Sequence, residues 1–214
     1  MTVQISKGIY LVTEHERLPF ARLLSITESL LPKGIAALQY RNKQADSAQK
    51  RIEARQLQTL CKTWKVPFII NDDISLAIEL QADGVHLGRD DGSCSEARKR
   101  LGPNMLMGIS CNNDINRANQ AVQDGADYIA FGAMFPTSSK TNPVQATPDL
   151  IRQAKQRYTI PIVAIGGITP ENCGPVINAG ADLLAVISSV YLASDPAQVI
   201  DNFNKLMAKK YESV

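Results

Sequence analysis

The chain is poor in the residues that mark several common protein classes. Its 214 residues include one tryptophan, two histidines and four cysteines, with 6% aromatics. The cysteines (Cys61, Cys94, Cys111, Cys173) are widely spaced and form no Cys-x-x-Cys pair. A disulfide framework or structural zinc site is therefore not expected, and the reduced thiols of the cytoplasm are the default. No apolar run approaches the ~20 residues of a membrane span. Neither sign of charge dominates, with 23 Lys+Arg against 21 Asp+Glu and a net charge of +2. That balance argues against nucleic acid or a membrane surface as partner. Met1 to Glu14 shows no charged segment leading into a long apolar stretch, so no export signal is expected. No linker, charge block or low-complexity tract divides the chain, and residues 1–214 read as one domain. With 44% hydrophobic residues it can bury a substantial core.

What the chain does have is a recurring short apolar run followed by an amphipathic stretch. Eight such runs occur: Gly8–Thr13, Ile35–Tyr40, Val66–Asn71, Gly84–Leu87, Met105–Ile109, Tyr128–Phe131, Ile160–Ile165 and Leu183–Ile187. Short runs rich in β-branched residues and apolar on both faces suit parallel strands covered by helices. Between them, Leu57, Leu60, Cys61 and Trp64 share a helix face. Thr169-Pro170-Glu171 reads as a helix start, with Pro175 making its first turn irregular. Asp124-Gly125-Ala126-Asp127 and Ala179-Gly180-Ala181-Asp182 read as helix ends leading into strands. Eight units predict a single (β/α)8 barrel of the TIM type, near the lower size limit for that fold. A doubly wound sheet would advertise a Gly-rich turn after the first strand. Here that strand ends Thr13-Glu14-His15.

Barrel chemistry gathers at the C-terminal ends of the strands. After the second run, Gln39, Arg41 and Lys43 share one face of an extended segment, a set suited to phosphate. The third and fourth runs end in Asn71-Asp72-Asp73 and Gly88-Arg89-Asp90-Asp91. Carboxylates at neighbouring strand ends could share a hard cation such as Mg²⁺, although Asp73 and Asp90 also read as helix caps. Further phosphate contacts are expected from Phe135-Pro136-Thr137-Ser138-Ser139-Lys140, from Gly166-Gly167-Ile168 and from Ile187-Ser188-Ser189. His86 reads as a hydrogen-bonded core residue, His15 as a surface one, and Tyr128 and Phe131 as core. Cys111 has no evident base partner, and no Ser/His/Asp or Cys/His set is apparent.

In their order and spacing, these segments resemble the thiamine-phosphate synthase family over nearly the whole chain. The matching residues are Gln39-x-Arg41-x-Lys43, Ile70-Asn71-Asp72, Ala82 to Gly88, Gly108-x-Ser110, Gly125 to Tyr128, Phe135-Pro136-Thr137-x-x-Lys140, Ala164 to Ile168 and Val186-Ile187-Ser188. The resemblance implies two small-molecule substrates, hydroxymethylpyrimidine diphosphate and hydroxyethylthiazole phosphate. They would condense to thiamine phosphate and pyrophosphate through a pyrimidine-methylene cation, with Lys43, Ser110 and Lys140 at the chemistry. By the same resemblance, Gln39, Arg41, Lys43, Asn71 and Lys140 would hold the diphosphate. Asp72 and Asp91 would bind Mg²⁺, and Ser110 would lie beside the pyrimidine. Thr137, Ser139, Gly167 and the Ile187-Ser188 backbone would hold the thiazole phosphate. Three positions depart from the common pattern: Arg89 for Gln, Cys111-Asn112 after Ser110 where many members have Ser-x-His, and Ser139 for Thr. The alternatives are a related thiazole tautomerase, which would need an active-site histidine, and a non-catalytic barrel that binds thiamine phosphate and regulates a partner. The oligomeric state stays open, a homo-oligomer included.

Overall fold

The computed structural model describes residues 4–89, 91–137 and 145–212. Eight strands, β1 (Gly8–Val12), β2 (Ile35–Tyr40), β3 (Phe68–Asn71), β4 (Gly84–Leu87), β5 (Leu106–Asn112), β6 (Tyr128–Phe131), β7 (Ile162–Ile165) and β8 (Leu183–Val186), pair in sequence order. The ring closes through parallel pairing of β1 with β8, from Gly8 against Leu183 to Leu11 against Val186. The helices are α1 (Phe20–Leu30), α2 (Ser47–Trp64), α3 (Ile74–Leu80), α4 (Cys94–Leu101), α5 (Ile115–Gln123), α6 (Pro148–Arg157), α7 (Gly174–Ala179), α8 (Ser188–Tyr191) and α9 (Pro196–Glu212). The expected (β/α)8 barrel is therefore the fold, and all eight apolar runs are strands. β5 runs further than its apolar core, to Asn112, and so carries Ser110 within the sheet.

Helices outside and side chains inside bury both faces of the strands; every residue of β2, β4, β6 and β8 is buried. The interior forms its own apolar cluster, including Tyr10, Ile69, Leu106, Tyr128, Val163 and Leu183. Two tyrosines fit inside because their neighbours are small, among them Ala37, Ala130 and Ala185. Gly108 is the tightest case. A Cβ there would lie 1.9 Å from the Tyr128 ring, so a glycine in mid-strand is required by the ring stacked over it.

One device recurs at the N-terminal end of the barrel. Asp83, Asp127 and Asp182 each precede an even-numbered strand and accept the backbone N–H of a residue in the preceding strand: Phe68 at 2.8 Å, Met107 at 2.7 Å and Ile162 at 2.9 Å. Each aspartate also donates its own N–H to the carbonyl of that same residue. Two of the three carboxylates are further held by cations, Asp127 by Arg98 at 2.5 Å and Asp182 by Lys155 at 2.8 Å. The expected helix-ending glycines precede two of them, with Gly125 and Gly180 left-handed at φ 87° and 108°.

Several local expectations change. Trp64 is 46% exposed, because α2 ends there and Lys65 turns left-handed, while Leu57 and Cys61 are buried. α7 does not start at Thr169. The Thr169 carbonyl instead closes a turn by accepting from Asn172 and Cys173, and Cys173 caps the helix. Pro175 then falls in the first turn, where its missing N–H removes no helical bond, so no irregularity results. Asp73 does cap α3, accepting from Leu76 N at 2.9 Å. Asp90 lies outside the described residues, and Ser93 occupies the N-cap of α4. His15 is not on the surface: its ring packs between Phe20 and Tyr40 and takes a hydrogen bond from Asn42. Among the described residues no helix is long and apolar enough to cross a membrane, and the four cysteines are free.

The packing at Gly108 gives a direct test. Gly108→Ala is expected to lower unfolding stability by about 1–3 kcal/mol or more, because the Tyr128 ring must shift to admit a methyl group. Gly174→Ala, with open space around the added Cβ and an ordinary φ, should not destabilise. Denaturant titration of both variants measures the contrast.

Candidate active site at the barrel mouth

Two adjoining cavities open at the C-terminal ends of the strands. The first, about 410 Å³, has a floor of Tyr10, Gln39, His86 and Ser110 and walls that include Arg41, Asn71, Thr137, Gly167, Ile187 and Ser188. The second, about 400 Å³, is lined by Lys43, Lys50, Asp72, Asp73, Asp91 and Arg100, among others. Asn71, the last residue of β3, lines both.

The expected triad after β2 is divided between these spaces. Gln39 lies inside the barrel and turns its amide onto Tyr10, with Nε2 2.9 Å from Oη. Arg41 is at the cavity wall, its backbone N–H held by the Thr13 hydroxyl at 2.8 Å and its guanidinium 3.3 Å from Glu16. Lys43 reaches the second cavity, with Nζ 3.5 Å from Asp72 Oδ2. β2 ends at Tyr40, so the alternation that would align the three side chains stops there.

Asp72 follows β3 in the left-handed region at φ 63°, and Asp91 Oδ2 accepts the Gly88 N–H at 2.6 Å. The two carboxyls lie near enough to influence one another's titration. Burial first, then the neighbouring Asp91, raises the Asp72 pKa, while Lys43 pulls it back. A pair of adjacent hard oxygen donors, one of which retains a proton more readily than usual, is what a divalent cation would relieve. The donor chemistry fits Mg²⁺, which takes few protein carboxylates and fills its shell from phosphate oxygens and water.

At the opposite wall, Gly166 and Gly167 hold left-handed φ values of 103° and 63°, and a Cβ on Gly167 would lie 2.3 Å from the Pro136 carbonyl. Glycine there lets the turn after β7 pack against the loop after β6 and leaves its backbone lining the cavity. Ser188 opens the short α8, and its hydroxyl donates to the buried Glu14 at 2.7 Å. That commits the side chain to Glu14 and leaves backbone N–H groups as what a ligand would meet. Ser139 and Lys140 lie outside the described residues.

Sequence reasoning put Gln39 and Ser110 in the site but missed the rest of the floor. His86, read as a hydrogen-bonded core residue, is buried and hydrogen-bonded, and its partners place it at the cavity: Ser110 Oγ 2.9 Å from Nε2 and Tyr128 Oη 3.2 Å from Nδ1. Tyr10 and Tyr128 join at 2.7 Å. Glu14 was also overlooked. The available signals were a histidine and two tyrosines inside apolar runs, and a glycine in mid-strand beside Ser110. Cys111 is buried, and burial pushes its thiol up to about 12, away from the thiolate a nucleophile needs.

A closed parallel barrel whose strand ends surround joined cavities is the architecture of a (β/α)8-barrel enzyme. A family model described as thiamine monophosphate synthase matches residues 9–190. The chain is 50% identical over 202 residues to thiamine-phosphate synthase of Azoarcus sp. (strain BH72), covering 94% of this chain and 98% of that one. It is 50% identical over 190 residues to thiamine-phosphate synthase of Xylella fastidiosa (strain Temecula1), covering 89% and 80%. Thiamine phosphate pyrophosphorylase from Pyrococcus furiosus superposes with a TM-score of 0.85 at 29% identity, covering 94% and 96%. The chain belongs to the thiamine monophosphate synthase family, and it is a transferase.

The carboxyl pair yields a prediction with a definite sign. Asp91→Asn removes the neighbouring charge and supplies an amide donor that favours ionised Asp72, so the Asp72 pKa should fall; Lys43→Met removes the opposing cation, so it should rise. Carboxyl ¹³C NMR titration without metal checks both shifts. An Asp72 pKa unmoved by Asp91→Asn would dissolve the pair.

Proposed function

We propose that this chain condenses hydroxymethylpyrimidine diphosphate with hydroxyethylthiazole phosphate, releasing pyrophosphate and forming thiamine phosphate in a Mg²⁺-dependent reaction. The observation that carries the reading is the pair of cavities meeting at Asn71, one floored by Tyr10, Gln39, His86 and Ser110, the other lined with lysine and carboxylates. A substrate with an aromatic ring and a diphosphate needs both environments side by side.

In this reading Ser110 meets the pyrimidine ring at the cavity floor. Arg41, Lys43 and Asn71 hold the diphosphate, with Gln39 beneath it and Lys140 contributed by the segment after Thr137. Asp72 and Asp91 would hold Mg²⁺, which neutralises charge on the departing oxygens when bound. Thr137, Ser139, Gly167 and the Ile187-Ser188 backbone take the thiazole phosphate. The carbon–oxygen bond breaks with its electron pair going to pyrophosphate, and the ring's amino group stabilises the methylene cation. The thiazole nitrogen then attacks that carbon. Negative charge on the leaving oxygen grows as the bond breaks, so Lys43 and Lys140 stabilise the transition state more than the bound substrate. No strong protein base is required.

The position of His86 in the cavity floor favours keeping a second reading in view, a thiazole tautomerase, which would use a histidine as its base. Both His86 nitrogens are engaged by Tyr128 and Ser110, which supports a supporting role over proton abstraction. A coupling assay with both purified substrates, with and without Mg²⁺, separates the readings. Thiamine phosphate should form only with both substrates and metal; isomerisation of the thiazole phosphate alone would support the tautomerase. In single turnover at saturating substrates, Lys43→Ala should slow the chemical step by about 10²–10³-fold. A rise in Michaelis constants alone would reduce Lys43 to a binding group.

A further inference from the structure

Five side chains from five strands form one continuous hydrogen-bond chain beneath the first cavity. Gln39 Nε2 donates to Tyr10 Oη at 2.9 Å; Tyr10 and Tyr128 hydroxyls meet at 2.7 Å; Tyr128 Oη lies 3.2 Å from His86 Nδ1; His86 Nε2 lies 2.9 Å from Ser110 Oγ. Gln39 and Ser110, the two ends, both line the cavity, while both phenols are almost wholly buried.

Proton counting gives this chain a direction. A phenol has one hydrogen to donate. The Gln39 amide N–H occupies Tyr10 as donor, so the Tyr10 hydrogen goes to Tyr128, and the Tyr128 hydrogen goes to Nδ1 of His86. An imidazole that accepts at Nδ1 carries its hydrogen at Nε2, which then donates to Ser110. The serine hydrogen is left to point at whatever occupies the cavity. Inverting the Gln39 amide would reverse every bond and turn Ser110 into an acceptor. Desolvation holds both phenols well above their ordinary pKa, so neither ionises and breaks the sequence.

We propose that Tyr10, Tyr128 and His86 are positioning residues that fix Ser110 as a hydrogen-bond donor and so select a ring that presents an acceptor nitrogen to it. The inference rests on the reading above, in which the pyrimidine lies beside Ser110. It adds that the hydrogen-bond chain behind Ser110 decides which polarity Ser110 offers.

A double-mutant cycle on kcat/KM for the pyrimidine substrate tests it. In the wild-type background Tyr128→Phe should cost about tenfold, the worth of one oriented hydrogen bond. In the Ser110→Ala background it should cost less than about twofold, because the group it acts through is gone. Equal costs in both backgrounds would mark Tyr128 as merely structural and overturn the proposal, as would no cost in the wild type. Tyr10→Phe serves in the same cycle should Tyr128→Phe fail to fold. Ligand-free ¹⁵N NMR supplies a readout independent of turnover: His86 should carry its hydrogen on Nε2 in the wild type and lose that single tautomer in Tyr128→Phe. An Nδ1–H tautomer in the wild type would overturn the polarity even if condensation is observed. An absence of condensation with the expected tautomer would sink the proposed reaction and leave the hydrogen-bond assignment standing.

Discussion

The contact between the Tyr10 and Tyr128 hydroxyls, 2.7 Å apart inside a closed barrel, sets conditions that much of the molecule meets. Two phenol rings in a space of fixed circumference demand small neighbours, which explains Gly108 under the Tyr128 ring and alanines on β2, β6 and β8. Two buried hydroxyls also demand partners, since an unsatisfied one would carry the full penalty of desolvation. Gln39 and His86 answer that demand, and through them the packing of the interior reaches the residues of the mouth. The chemistry end of the barrel is therefore an outgrowth of its core, joined to it by polar bonds.

The strands were readable because parallel strands buried on both faces produce short, uninterrupted apolar runs, and helix ends were readable from Gly125 and Gly180. The same property hid part of the floor. In a strand apolar on both sides, alternation cannot tell the side facing the lumen from the side facing the helices, so His86 and Tyr128 looked like filling. Asn71, Asp72, Asp91, Thr137, Gly167 and Ser188 were found by position, because barrel geometry brings strand ends together whatever their separation in sequence. The grouping of Gln39, Arg41 and Lys43 failed at the point where β2 ends and the twofold alternation no longer holds. His15 was misplaced because nothing local announces that Phe20 and Tyr40 will enclose it.

Left-handed backbone occurs at both ends of the barrel: at helix ends such as Lys65 and Gln81 on one side, and around the cavities on the other. Asp72 and Asn112, neither of them glycine, hold left-handed conformations just beyond or at the ends of β3 and β5, beside Gly166 and Gly167 after β7. Non-glycine residues persist in that region only where the surroundings determine them. Asp72 and Asn112 hold theirs where each lines a cavity, whereas Lys65 and Gln81 simply end helices.

The aspartates at the other end bear on the order in which such a ring can assemble. Asp83, Asp127 and Asp182 each bridge to a partner only 15 or 20 residues earlier in the chain. Closing loops of that length costs about 2 kcal/mol less in chain entropy than bringing Gly8 to Leu183. Three strand–helix–strand units, β3–β4, β5–β6 and β7–β8, thus carry their own local clasp, and the first pair does not have one of this kind among the described residues. A nascent chain can secure each unit as it emerges and leave the long-range seam between β1 and β8 until last. The barrel is then a row of locally clasped modules whose circle is closed by its pairing of longest sequence separation.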